Sequence, residues 1–318
     1  MRKFKLGNEP LAIIGYGSQG KAQALNLRDS GITPLIGLPP KSKARRRARL
    51  DGFTAVSTID AIDKAKIVSI LIPDHKHNEL FDNIPRSILD GKALIFAHGL
   101  SIAFGLVAPP GTCDIVLVAP HGPGIRIREL FLTRKRFTAF WAIEHDASGN
   151  AAEIALAYAA AIGCPIGSLF RTTFRDEAVG DIFGEQAVLC GGLAGLIETG
   201  FSTLVEHGLP ARDAYLECVY QLDLIIDLIK RHGPAGMFER ISKTAAFGSL
   251  KNKNAIIDSS IRKKMERLYS LIDSGKFAGE LLEESKSDMA NLNKWLRDYK
   301  KSLLQKTHSR LSKYLEKK

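Results

Sequence analysis

Asp181 and Glu185 stand four positions apart in Asp181-Ile-Phe-Gly-Glu-Gln186, a spacing that puts both carboxylates on one face of a predicted helix among Ile182, Val188 and Leu189. Two carboxylates on an otherwise apolar face repel unless a cation sits between them. Hard oxygen ligands suit Mg2+, which keeps several waters and takes one or two protein carboxylates plus substrate oxygens. Acidic pairs of this spacing also occur on solvated faces, so spacing alone leaves both readings open. Glu217 and Gln221 repeat the geometry in Leu216-Glu-Cys-Val-Tyr-Gln-Leu222, with an amide as the second member.

Gly15-Tyr-Gly17-Ser-Gln-Gly20 follows a strand-like run, Leu11–Ile14, and opens a helical pattern from Lys21 to Asp29. In such a loop one glycine makes the tight turn, the next admits a pyrophosphate, and the third lets helix and strand pack closely. The helix N-terminus then attracts the phosphates. Gly15, Tyr16, Gly17, Ser18, Gln19 and Gly20 are therefore candidate cofactor contacts. An acid at the end of the second strand would bond the ribose 2′-hydroxyl of NAD. Here Ile36-Gly-Leu-Pro-Pro40 is followed by Lys41, Ser42, Lys43, Arg45, Arg46 and Arg47, with no acid before Asp51, which argues for the 2′-phosphate of NADP. Ser42 and Lys43 are the first candidates, the remaining cations being a solvated helix face or a polyanion patch.

The elements that must position these residues form two groups. Pro34–Ile36, Ile67–Ile72, Ala93–Phe96, Ile115–Val118 and Phe137–Ile143 read as further buried strands alternating with helices, the pattern of an α/β, doubly wound parallel sheet. From Asn150 onward, Ala-rich and Leu/Ile-rich segments at helical spacing predict an all-helical domain. The expected division is 1–149, 150–291, and a basic amphipathic tail at 292–318. That tail either lies on a membrane or partner surface or packs on its own domain.

The 318 residues carry 45 Lys+Arg against 34 Asp+Glu, a net charge of +11, with 45% hydrophobic residues. Disorder and collagen are excluded by this composition. No run reaches the roughly 18 consecutive apolar residues of a membrane span, and no secretory leader is evident, so a cytoplasmic location is expected. Cys113, Cys164, Cys190 and Cys218 lack Cys-x-x-Cys spacing and read as reduced, mostly buried thiols.

Phe96-Ala-His-Gly99, Val118-Ala-Pro-His-Gly-Pro-Gly124, Asp181-Ile-Phe-Gly-Glu-Gln186, Glu217-Cys-Val-Tyr-Gln-Leu222 and Ile241-Ser-Lys-Thr244, in this order after the glycine loop, resemble the short-chain class of ketol-acid reductoisomerase. The resemblance runs from about Leu11 to about Asn291. It implies a Rossmann-like N-terminal domain, a knotted helical C-terminal domain, and an active site between them in a homodimer or larger assembly. It also implies NADPH and two Mg2+ ions, and conversion of 2-acetolactate or its ethyl homologue to a 2,3-dihydroxy acid by alkyl migration and hydride reduction. Asp181, Glu185, Glu217 and Gln221 then fall at metal positions, His98 and His121 at catalytic ones, Gly124 beside the cofactor, and Ser242 at the substrate carboxylate, although Ser242 also suits a helix cap.

Two positions depart from the family. Gln221 replaces a glutamate, removing one negative charge, so the second Mg2+ should bind more weakly. His121 replaces a lysine, and its imidazole is shorter and largely neutral at pH 7. The two changes are opposite in charge and can compensate. Two alternatives to a working reductoisomerase follow: an NADPH-dependent 2-keto acid reductase without isomerase activity, and a non-catalytic NADP-binding or polyanion-binding paralogue. The charge is weak support for nucleic acid.

Overall fold

The structure, a computed structural model, describes Leu6 and residues 9–315. The basic start of the chain and the last three residues of the expected tail lie outside the described residues. The chain divides into two compact units, Met1–Gly180 and Asp181–Lys318.

The first unit is built on eight strands, β1 (Leu11–Ile14), β2 (Leu35–Gly37), β3 (Ala55–Val56), β4 (Ile67–Ile70), β5 (Ala93–Phe96), β6 (Asp114–Pro120), β7 (Ala139–His145) and β8 (Leu169–Arg171), in the order β3-β2-β1-β4-β5-β6-β7-β8. The first six pair in parallel, β7 runs antiparallel to β6, and β8 is parallel to β7. Helices α1 (Ser18–Asp29), α2 (Ala44–Leu50), α3 (Thr58–Lys64), α4 (His77–Asn83), α5 (Leu100–Ala103), α6 (Gly124–Leu132) and α7 (Ala151–Ala161) complete the unit. Every residue of β1, β4 and β5 is buried, as expected of strands covered on both faces. Alternate side chains feed two apolar clusters: Ile13, Ile36, Ile95 and Val116 on one face, Ile14, Val68, Leu94 and Phe96 on the other. From β1 the chain proceeds outward through β2 and β3, then returns to the other side of β1 as β4. The crevice at the carboxyl ends of β1 and β4 is therefore the topological switch point, where such sheets bind ligands.

The second unit contains the end of α8 (Phe174–Gly184), then α9 (Gly191–Glu206), α10 (Ala211–Tyr215), α11 (Leu222–Arg240, broken at Gly233), α12 (Lys243–Ile256), α13 (Ser259–Asp273), α14 (Lys276–Lys286), α15 (Ala290–Lys301) and α16 (Leu303–Leu315). Two π-helical turns interrupt this series, at Glu185–Leu189 and Leu216–Tyr220.

One expectation changes, at the boundary between the units. The segment from Ala151, expected to open the helical domain, belongs to the first unit: α7 packs on the sheet, where its buried Tyr158 hydroxyl bonds Gln23 of α1 (2.8 Å) and Ser69 of β4 (2.9 Å). β8 then adds to the sheet edge. Of the two readings of the tail, the contacts show packing on its own domain: Leu304 of α16 is buried with Phe201, Ala214 and Tyr215, and the Tyr215 hydroxyl meets His308 Nδ1 at 2.7 Å. The helical run Phe174–Glu206, with an 18-residue window of mean hydropathy 1.5 of which 6% is buried, has the length and composition to cross a membrane, although charged residues break its consecutive apolar stretches. Of the cysteines, Cys113 and Cys164 are buried, Cys218 is half-buried and Cys190 is exposed; all four are thiols.

Candidate active site

The glycine loop opens α1 with three glycines that do different things. A Cβ on Gly15 would lie 2.5 Å from the Leu71 carbonyl oxygen, and Gly15 has φ +104°, so turn and packing both require glycine. A Cβ on Gly20 would lie 2.5 Å from the Gly15 carbonyl oxygen, closing α1 onto the loop. A Cβ on Gly17 would meet no protein atom within 4 Å. Protein packing therefore does not require Gly17; its position at the helix mouth is where a pyrophosphate comes closest to backbone. The residues present thus fit a dinucleotide.

Gly124 brings a second helix to the same place. Its missing Cβ would overlap the Ser18 carbonyl group, so the N-terminus of α6 lies against the N-terminus of α1. Gln19 spans the two, donating from Nε2 to the Gly122 carbonyl oxygen at 2.9 Å. Gln19 also lines the cavity at the switch point, so it joins the two helix ends at the edge of the expected cofactor site. Tyr16 also turns inward: its hydroxyl donates to Asp51 Oδ2 at 2.8 Å and its ring packs edge-on against Phe53. Burial and the Asp51 carboxylate push the Tyr16 hydroxyl well above its usual range. Burial opposes ionisation of Asp51, but hydrogen bonds from Lys21 and Tyr16 hold it below the usual carboxylate value.

Beyond β2 an open basin of about 900 Å³ is lined by Ser42, Arg45, Arg46, Arg49, Ser57 and Asp60. Arg45 is occupied structurally, donating to the carbonyls of Leu38 (3.2 Å) and Ala55 (3.0 Å). Ser42 Oγ accepts from Ala44 N. Lys43 precedes α2 and is absent from the lining, whereas Arg46 and Arg49 are present. The basic run borders this basin, and α2's geometry decides which of its members face it.

At the switch point a cavity of about 270 Å³ is lined by Gly17, Ser18, Leu71, Asp74, His77 and His98, among others. His98 Nδ1 lies 3.4 Å from Asp74 Oδ1. Burial works to raise the Asp74 carboxyl, but the His98 hydrogen bond and the charges of His98 and His77 hold it below its usual value. His77 is buried, with Nε2 3.2 Å from the Ile72 carbonyl oxygen and Nδ1 2.7 Å from Ser101 Oγ. A carbonyl only accepts, so Nε2 carries the proton and the Ser101 hydroxyl donates to Nδ1. Burial pushes the His77 imidazole below its usual value. Gly99, next to His98, donates its N–H to the buried Glu177 carboxylate at 2.6 Å, and a Cβ there would overlap the Phe174 carbonyl. Asp74, His77 and Glu177 were not among the residues expected from sequence; the signal available was Pro73-Asp74 directly after a buried strand.

His121 follows β6. Its N–H donates to the Thr138 carbonyl oxygen at 2.9 Å, its Nδ1 lies 2.8 Å from Thr138 Oγ1, and its ring stands edge-to-face with Phe140, centroids 4.4 Å apart.

In the second unit, Asp181 opens the last turn of α8 and Glu185 begins the π-helical turn that follows; Glu217 lies in the other π-turn. Such turns recur at functional sites, because one extra residue per turn re-aims side chains. The Gly191-Gly192 pair follows from the first of them, since a Cβ on either would overlap the carbonyls of Gln186 and Ala187. Asp181 and Glu185 are both exposed oxygen donors, a donor set that suits a hard cation. Gln221 Nε2 donates to Glu217 Oε2 at 3.1 Å, so the amide engages the neighbouring carboxylate. Among the described residues no cluster of three or more metal-ligating side chains occurs. Ser242 caps α12, its Oγ accepting from Ala245 N at 3.1 Å; the hydroxyl hydrogen can still donate.

Comparison with known proteins accounts for both units. Residues 5–167 match the acetohydroxy acid isomeroreductase NADPH-binding domain, and residues 174–317 match the ketol-acid reductoisomerase C-terminal domain. The chain is 42% identical over 285 residues to a ketol-acid reductoisomerase (NADP(+)) of Saccharopolyspora erythraea, covering 89% of this chain and 86% of that one. An NADH-preferring ketol-acid reductoisomerase from an uncultured archaeon superposes with a TM-score of 0.93 at 35% identity, over 97% and 95% of the two chains. The pyrroline carboxylate reductase of Plasmodium falciparum shares the fold at 14% identity, with a TM-score of 0.55 over 84% of this chain and 98% of that one. A glycine loop at the switch point of a Rossmann-like sheet, followed by a helical domain with this carboxylate series, and matched over nearly its whole length, belongs to the ketol-acid reductoisomerase family of NADP-dependent oxidoreductases.

Proposed function

We propose that this chain converts 2-acetolactate or 2-aceto-2-hydroxybutanoate to the corresponding 2,3-dihydroxy acid, serving valine and isoleucine synthesis, with NADPH and Mg2+. The observation that carries the reading is the switch-point cavity, which sets the glycine loop and His98 around one opening. Gly17, Ser18 and Gly124 hold the pyrophosphate, and Ser42, Arg46 and Arg49 receive the 2′-phosphate. Asp181, Glu185 and Glu217 are the oxygen donors for Mg2+; the cation polarises the substrate's oxygens, and NADPH supplies the hydride. The Gln221–Glu217 hydrogen bond supports a weakened second metal position. Asp74 orients His98, which relays a proton. His121 gives a proton to a developing alkoxide where the family has lysine, and Ser242 donates to the substrate carboxylate.

A second copy of the chain covers the second unit. Its apolar side chains are widely exposed, including Leu189, Leu196, Leu224, Phe247 and Ile256, while the buried cluster of Phe201, Ala214, Tyr215 and Leu304 is small. Exposed apolar surface on that scale favours an obligate oligomer.

The test is a paired assay with NADPH under Mg2+ titration. Turnover of both 2-acetolactate and 3-hydroxy-3-methyl-2-oxobutanoate supports the reading. Turnover of only the second compound leaves a reductase, and turnover of neither leaves a binding paralogue.

A further inference from the structure

We infer that Thr138 is a positioning residue for His121, holding the imidazole so that Nε2 is the nitrogen that exchanges a proton. The inference rests on the proton-donor role proposed above for His121. It starts from the sheet. β7 runs antiparallel to β6, with Pro120 opposite Ala139 and Ala119 opposite Phe140. The hydrogen bond from His121 N to the Thr138 carbonyl extends that ladder by one step and places Thr138 beside His121. Side chains two apart on an extended segment share a face, so Thr138 and Phe140 approach the imidazole together. The Thr138 hydroxyl engages Nδ1 at 2.8 Å, and the Phe140 ring stands at 89° to it. One group therefore fixes which nitrogen points where, and the other restricts the ring's rotation.

The chemistry favours one tautomer. With Nδ1–H donating to Thr138 Oγ1, the imidazolium carries its second proton on Nε2. Transfer of that proton to an alkoxide breaks the Nε2–H bond and forms the product O–H. It leaves a neutral imidazole whose Nδ1–H bond to Thr138 is unchanged, so a single ring orientation serves both protonation states. A lysine ammonium needs no such partner, because its three donors are equivalent about the C–N axis. Replacing lysine by histidine makes orientation a requirement, and Thr138 meets it.

The test compares Thr138→Val, which keeps shape but removes the hydroxyl, with Thr138→Ser, which keeps the hydroxyl, and with His121→Ala. Steady-state kinetics on 2-acetolactate should show kcat about tenfold lower for Thr138→Val with KM and NADPH affinity little changed, a modest part of the loss that general-acid removal causes. Thr138→Ser should recover kcat to within about threefold. In the cofactor-free protein, nitrogen NMR of the His121 ring should show a protonated Nδ1 in the neutral form, giving way to mixed tautomers in Thr138→Val. A wild-type ring protonated on Nε2, or a Thr138→Val enzyme with unchanged kcat while His121→Ala is impaired, would overturn the positioning role. Unchanged kcat in His121→Ala would instead overturn the proposed role of His121 itself, and the inference with it.

Discussion

Gly17→Ala separates cofactor grip from fold. The added methyl meets no protein atom within 4 Å, and the backbone at Gly17 (φ −82°, ψ −152°) is extended and open to alanine. Folding should be unharmed or slightly favoured, because alanine lowers unfolded-chain entropy by about 0.4–1 kcal/mol. For a protein of this size that moves Tm by only a few degrees, at roughly 2–4 °C per kcal/mol. The methyl stands about 1.5 Å out from Cα, on the scale of a C–C bond, and must push a bound pyrophosphate back by a similar distance. One charge-assisted hydrogen bond to the helix N-terminus is then lost, worth about 1.5–3 kcal/mol. That corresponds to a rise of roughly 10- to 150-fold in the Kd of NADPH. Fluorescence titration with NADPH and a thermal melt on the same sample measure both quantities. Wild-type affinity in Gly17→Ala, or a Tm loss of ten degrees, would refute the assignment of Gly17 to the ligand rather than to packing.

Gly124→Ala should do the opposite, because its Cβ overlaps the Ser18 carbonyl: an overpacking cost of about 1–3 kcal/mol should lower Tm in the absence of cofactor, read by the same melt. His77 supplies a pH dependence. Its folded-state pKa lies below the unfolded value, so stability is full above about pH 6.5 and falls with pH between the unfolded and folded values; His77→Gln should flatten that limb in denaturant titrations at pH 7 and pH 5. Gln221→Glu should tighten Mg2+ binding by roughly tenfold in calorimetry by restoring an anionic donor. His121→Lys and Gln221→Glu should each lower kcat more than the pair made together, whereas simple additivity would show that the two charge changes do not compensate.

What was legible in the sequence follows from how much physics each pattern contained. β1, β4 and β5 announced themselves because strands buried on both faces must be continuously apolar. β3 and β8, at two and three residues, are too short to show any pattern. Helix α7 was assigned to the wrong unit because an Ala-rich helix has the same period whether it packs on a sheet or on other helices; the deciding contact, Tyr158 with Ser69, spans 89 residues. The π-turns left no trace in hydrophobic spacing, because five residues cannot distinguish one helical pitch from another. In the glycine loop the motif did not reveal that Tyr16 turns inward to Asp51 and Phe53, whereas Gln19 lines the switch-point cavity. Thr138 could be found only once the antiparallel register of β6 and β7 was known.

The Tyr16–Asp51 hydrogen bond has a practical side. Asp51 lies just past α2, where Lys21 grips its carboxylate and the Arg28 guanidinium accepts no proton but donates to its carbonyl oxygen at 2.6 Å. The far end of the basic segment proposed to receive the 2′-phosphate is thus tied to the glycine loop and to α1. Ser42, Arg46 and Arg49, which line the basin beyond β2, take part in none of these ties. If the proposed 2′-phosphate contacts hold, cofactor preference should change on rewriting Ser42, Arg46 and Arg49, provided the Tyr16, Lys21, Arg28 and Asp51 anchorage is left untouched.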